Sequence, residues 1–145
     1  MSLPDPRSGL VIGYSYLWHA DYEAGQEEGG KDRPSAVVIA SRTEAGDIVV
    51  TVAAITHSRP ADPMDGIELP ACVKRRLGLD ALPSWLICAE LNRFVWPGPD
   101  LRPVSRSAPG QFVYGVLPPS FMAQVFARLQ AIRSARKLQA MFRSA

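Results

Sequence analysis

The last 45 residues contain no aspartate or glutamate. Arg102, Arg106, Arg128, Arg133, Arg136, Lys137 and Arg143 give that stretch a local charge of +7, so the first hundred residues carry −5 of the overall +2. Such asymmetry points the C-terminal third toward an anionic partner, nucleic acid or acidic protein; a solvated helix face is the plainer alternative. Cysteine is scarce too. Cys72 and Cys88 both sit in apolar surroundings, and neither has a second Cys or a His at metal-ligand spacing, which reads as two buried free thiols rather than a zinc site or a disulfide framework. No apolar run approaches the roughly 20 residues that span a bilayer, and the opening MSLPDPRSGL lacks the basic and then apolar build of a secretory signal. These absences lead us to expect a cytoplasmic protein with no membrane role.

Common enzyme signatures are missing as well. The chain has no glycine-rich phosphate loop ending in Lys and Ser/Thr, no G-x-S-x-G elbow, no H-E-x-x-H and no C-x-x-C. The expectation is therefore no metal and no cofactor. What remains is 145 residues of 47% hydrophobic composition, enough for one domain with a core and too short for two.

Leu10 to Tyr16 (LVIGYSY) reads as a first strand, followed by a long polar loop, AGQEEGGKDR. Ala36 to Ala40 is a short β-branched run of the kind covered on both faces, and DIVVTVAAITH pairs with it as a hairpin across the turn EAGD. IELP reads as a short strand. Pro70 and Gly78 bracket a short helix, and SWLICAELNRFVW is extended with a bend near Asn92. PGPDLRP cannot continue a ladder, because prolines withhold amide donors. FVYGVLP is read as the last strand, with Ser120 capping a helix whose stripe runs through Phe121, Val125, Leu129, Ile132, Leu138 and Met141. The whole reads as a small antiparallel β-barrel, mainly β with a short helix and a C-terminal helix, with residues 132–145 as a basic helical extension.

In KDRPSAVVIA a charged triplet stands at the mouth of a buried strand. Pro34 biases Arg33 toward extended geometry, which aims a permanent positive charge at one place. Other polar residues collect at strand ends: His19, Lys31, Asp32, Thr56, His57, Glu90, Asn92, Arg93, Asp100 and Arg102, with Trp18 and Trp96 able to stack unpaired bases. Taken singly, each also has an ordinary reading. Arg33 alone fits a surface pair with Asp32 or Glu28, Thr56 and His57 fit strand-end residues, and Trp96 fits a lid on one end of the barrel.

The order of GLVIGYSYLW, KDRPSAVVIA, VAAITH, KRRLGLDALPSWLICAEL and YGVLPPSFMAQVFARL resembles the MazF/PemK/Kid family of toxin ribonucleases from type II toxin-antitoxin systems, over roughly Gly9 to Leu129. The resemblance implies an SH3-like or CcdB-like barrel, usually a homodimer, that cleaves single-stranded RNA through attack of a 2′-hydroxyl, inhibits growth, and is neutralised by a cognate antitoxin. Arg33, from the Arg-Pro motif, and Thr56, from the Ile-Thr motif, match the family's working positions. His57 is added on chemistry alone, as the more natural acid or base candidate beside Thr56. Lys31, Asn92, Arg93, Trp96 and Arg102 are expected to bind substrate. The family's acidic residue is absent near Arg93, where Val95 and Trp96 stand. A noncatalytic barrel binding RNA or protein, or a CcdB-like gyrase inhibitor, are the alternative readings.

Overall fold

The structure, a computed structural model, describes residues 5–18, 31–105, 107, 109–135 and 139–142. Three long strands form its centre: β1 (Leu10–Tyr16), β2 (Lys31–Arg42) and β3 (Ile48–Thr56). A 3-10 turn (Pro63–Asp65) leads to β4 (Gly66–Glu68), helix α1 (Ala71–Arg76), β5 (Trp85–Ile87) and β6 (Glu90–Val95). The chain closes with β7 (Val113–Val116), helix α2 (Pro119–Ser134) and β8 (Gln139–Phe142). Seven strands are antiparallel in the order β4-β5-β3-β2-β1-β7, with β6 beside β3 and β8 running parallel to β6. Among the described residues no ladder joins β7 to β4 or β8, so the hydrogen-bonded sheet is open where the sequence suggests a closed barrel.

Strand alternation explains why all of β1 is buried. Val11, Ala36, Val38, Ala53 and Ile55 face one cluster, which α2 completes with Phe121, Val125, Leu129 and Ile132. Leu10, Ile12, Tyr14, Tyr16, Val37, Val50, Val52 and Phe94 face the other. Apolar surface is thus removed from water on both sides of the central strands, the dominant stabilising term in such a fold.

Several local expectations are corrected. The extended stretch after Ser84 breaks at Cys88 and Ala89, not at Asn92. Pro118 is the N-cap of α2 and Pro119 its first helical residue, so Ser120 falls inside the first turn and caps nothing; a proline's fixed φ starts the helix one residue early. Pro70 likewise precedes α1 as its N-cap. Cys88 is buried, and burial pushes its thiol up to about 12, but Cys72 is exposed on α1. Residues 139–142 form a strand and not a helical extension, because the edge of β6 offers unpaired backbone groups that a returning chain can satisfy. No helix among the described residues is long and apolar enough to cross a membrane.

Candidate active site at the splayed end of two strands

The β2–β3 ladder ends at Ser35↔Ala54. Pro34, next along β2, has no N–H to give, and β3 turns instead to pair Ile55 and Thr56 with β5. On its other side Pro34 faces Gly13, whose N–H goes to the Phe112 carbonyl and whose carbonyl accepts from Arg102 N–H. A β-carbon at Gly13 would run into the Arg102 carbonyl oxygen, so only glycine lets the WPGPDLRP loop lie against β1. The strands therefore separate just before the level of Arg33 and Thr56. Continuing the register sets those two residues opposite each other, and their side chains do meet: Arg33 Nη1 donates to Thr56 Oγ1 at 3.2 Å.

Two recesses open from this pair. The first, of about 310 Å³, is lined by Asp32, Arg33, Thr56, His57, Asp80 and Tyr114 among others. The second, also about 310 Å³, has Trp18, Arg33, Thr56, Arg59, Ile87 and Glu90 in its walls. Arg33 is half-buried, and its guanidinium carbon lies 5.5 Å from the Trp18 ring centroid, a cation–π placement that restricts the long side chain. Trp18 in turn leans on Tyr16, with ring centroids 4.8 Å apart.

Thr56 Oγ1 accepts from both Arg33 and the Ser58 N–H. A hydroxyl has two lone pairs and one proton, so what Thr56 retains for a ligand is its proton. His57 follows at the exposed end of β3, with Nε2 3.0 Å from Asp80. Asp80 is delivered by the turn after α1, where Gly78 takes a positive φ of 72°. Its carboxylate also accepts from Leu82 N–H at 3.1 Å and from Lys74 Nζ at 3.1 Å. The His57 contact, then Lys74, holds the Asp80 carboxyl below its usual range. Lys74 is itself buried, a rare fate for an ammonium, and donates also to the Leu82 carbonyl. Across the recess, burial first and Asp32 second raise the Tyr114 phenol, keeping it protonated.

The residues expected to bind substrate are dispersed. Arg102 borders the first recess through Asp32, 3.6 Å away, while its guanidinium also donates to the Pro99 and Leu101 carbonyls. Asn92 is fully buried, its amide exchanging hydrogen bonds of 3.0 and 2.9 Å with the Leu17 backbone. It fastens the end of β1 to β6. Arg93 is exposed on β6 opposite Thr51, and Trp96 packs on Phe94 in the second apolar cluster, ring centroids 6.2 Å apart. None of the three lines either recess. Lys31 pairs with Tyr16 through its backbone, and its side chain lies outside the described residues, as does His19. Among the described residues no group of three or more His, Cys, Asp or Glu converges as a metal site. Sequence reasoning missed Asp80, Lys74 and Tyr114; the aspartate two residues after a helix-ending glycine was the available signal for the first.

The site and sheet define a mainly antiparallel β protein with an arginine–threonine pair at a strand-end cleft. No protein-family model matches the chain, and no curated protein matches its sequence.

Proposed function

We propose that this chain is a ribonuclease toxin of the MazF/PemK/Kid kind, its open sheet a divergent form of the SH3-like or CcdB-like barrel. The observation that carries the reading is the convergence of Arg33 and Thr56 at 3.2 Å beside His57. In the reaction, the 2′-oxygen of the RNA forms a bond to the adjacent phosphorus and the bond from phosphorus to the 5′-oxygen breaks. His57 takes the 2′ proton, and the departing 5′-oxygen gains one from water. Negative charge gathers on the nonbridging oxygens, where Arg33 N–H groups and the Thr56 proton donate into a half-enclosed cleft. Asp80 keeps the His57 ring in one orientation, as a carboxylate partner does for other catalytic histidines. Arg33 acts as an electrophile only, since a guanidinium does not give up its proton at ordinary pH.

The same reading makes single-stranded RNA the substrate, a homodimer the working unit, and an acidic antitoxin the cellular inhibitor, whose disordered tail folds on binding. The absence of acidic residues from the basic C-terminal third supports such a partner. The test is an RNA oligonucleotide beside its fully 2′-deoxy counterpart, both in EDTA. The expected result is cleavage of the RNA alone, into fragments ending in a 2′,3′-cyclic phosphate and beginning with a 5′-hydroxyl. Cleavage of the deoxy strand, or 5′-phosphate products, would rule out 2′-hydroxyl attack.

A further inference from the structure

In-line attack on phosphorus has two ends: one oxygen loses a proton as it attacks, and the oxygen opposite needs one as it departs. His57 serves the first end, and the first recess holds a further group fit for the second. Tyr114 stands on β7 at a β-bulge. Val11 pairs with Gly115 and Ile12 with Val113, so Tyr114 is the extra residue with no partner on β1. Bulges re-aim side chains, and here Val113 packs on the second apolar cluster while Tyr114 packs on the first and lines the recess. A β-carbon on Gly115 would come 3.1 Å from Leu77 Cδ2, so the bulge lies against the end of α1. We infer that Tyr114 is the general acid of the cleavage, its phenol giving a proton to the departing 5′-oxygen.

The other polar groups lining the recess are committed elsewhere. Arg33 keeps its protons at ordinary pH, and the Thr56 proton belongs to a nonbridging oxygen. Ser84 donates to the Leu82 carbonyl at 3.3 Å, and the Asp80 carboxyl is held ionised by His57 and Lys74. Asp32 is drawn to Arg102, 3.6 Å away. Among the described residues no hydrogen bond engages the Tyr114 hydroxyl, and burial first and Asp32 second keep it protonated. A phenol is still a far stronger acid than the alcohol formed from the leaving oxygen, so the transfer is downhill. Strand order sets the two proton carriers on either side of the phosphate clamp: His57 follows β3, Arg33 is on β2, and Tyr114 is on β7 beyond β1. A phosphodiester held by Arg33 then has its attacking oxygen toward β3 and its leaving oxygen toward β7, the arrangement in-line displacement requires. As the bond from phosphorus to the 5′-oxygen breaks, its electron pair stays on that oxygen and Tyr114 Oη supplies the proton. Water then reprotonates the phenolate and remains the net proton source.

This role rests on the ribonuclease reading, and the experiment separates the two. Single-turnover cleavage in EDTA is measured for the wild type, Tyr114→Phe and His57→Ala on a pair of RNA oligonucleotides that differ in a single atom. At a linkage the wild type cuts, the 5′-oxygen is either kept or replaced by sulfur. A thiolate departs without being protonated, so the sulfur substrate has no need of a general acid. Tyr114→Phe, which removes only the hydroxyl, is expected to slow the oxygen substrate about a hundredfold and to cut the sulfur substrate at the wild-type rate. That full rate also shows the variant to be folded with its phosphate clamp in place. His57→Ala should slow both, since the 2′-hydroxyl must lose its proton in either. Equal slowing of both substrates by Tyr114→Phe, or slowing of neither, overturns the role of Tyr114 and leaves the ribonuclease reading standing. A wild type that cuts no RNA overturns both.

Discussion

An aspartate joined to a histidine on one side and a buried lysine on the other is held ionised by both. Asp80 has that position, and its pKa is lowered by the His57 hydrogen bond first and by Lys74 second. A depressed folded-state pKa adds stability above the ordinary aspartate range, and the contribution disappears as pH falls through the lowered value. The window therefore lies below about pH 4, and an NMR titration of the Asp80 carboxyl is expected to show a midpoint under that figure. Asp80→Asn should lower cleavage and change its pH profile while Arg33-dependent RNA binding persists; an unchanged profile would separate His57 from the chemistry. Asn92 gives a purely structural contrast. Asn92→Ala strands the buried Leu17 N–H and carbonyl, and should cost about 2–4 kcal/mol in urea unfolding, at an unchanged m-value. From sequence, a buried amide staple and a substrate-binding amide look the same, which is why sequence reasoning puts Asn92 in the site. Arg33 and Thr56 were singled out through the resemblance, by the Arg-Pro and Ile-Thr motifs, with Pro34 constraining Arg33 alone; Lys74 was not, since nothing in ACVKRR marks one of three cations as buried.

At the level of elements, the hairpin of β2 and β3 was readable from its turn and its β-branched runs, and α2 from its apolar stripe. β8 was not. Its partner β6 lies far away in the chain, and a short apolar run fits a helix and a strand equally well. Pairing in parallel at Glu90↔Gln139 through Arg93↔Phe142, β8 covers one edge of the sheet. A chain ending at Ala135 is expected to be less stable and to associate beyond the dimer as concentration rises, because the uncovered β6 edge is a template for another strand. Sedimentation velocity on the full and shortened chains measures this; an unchanged size distribution would make β8 dispensable for edge protection.

Of the seven basic groups of the C-terminal third, two among the described residues already have partners within the fold. Arg128 on α2 donates Nη1 to the carbonyls of Pro63, Met64 and Gly66, directing its charge at the turn before β4. Arg102 is tied into the loop beside Asp32. Arg133 is exposed, and Arg106, Arg136, Lys137 and Arg143 lie outside the described residues. Arg128→Ala should therefore destabilise the fold by about 1–3 kcal/mol, measured by thermal or urea unfolding, and leave the salt dependence of RNA binding unchanged. A shallower salt slope in that variant would instead place Arg128 against phosphate.

On the ribonuclease reading, the splayed end of β2 and β3 builds one phosphate-stabilising unit from Arg33 and Thr56. The most direct measurement is the single-turnover cleavage rate of single-stranded RNA in EDTA for the wild type, Arg33→Ala, Thr56→Ala and the double variant, each shown to be folded. The expected losses are about a hundredfold or more for Arg33→Ala and smaller for Thr56→Ala. The double variant should lose much less than the product of the two, because residues acting as a unit are not additive. A wild type that leaves RNA intact, or cleavage indifferent to Arg33, would contradict that reading.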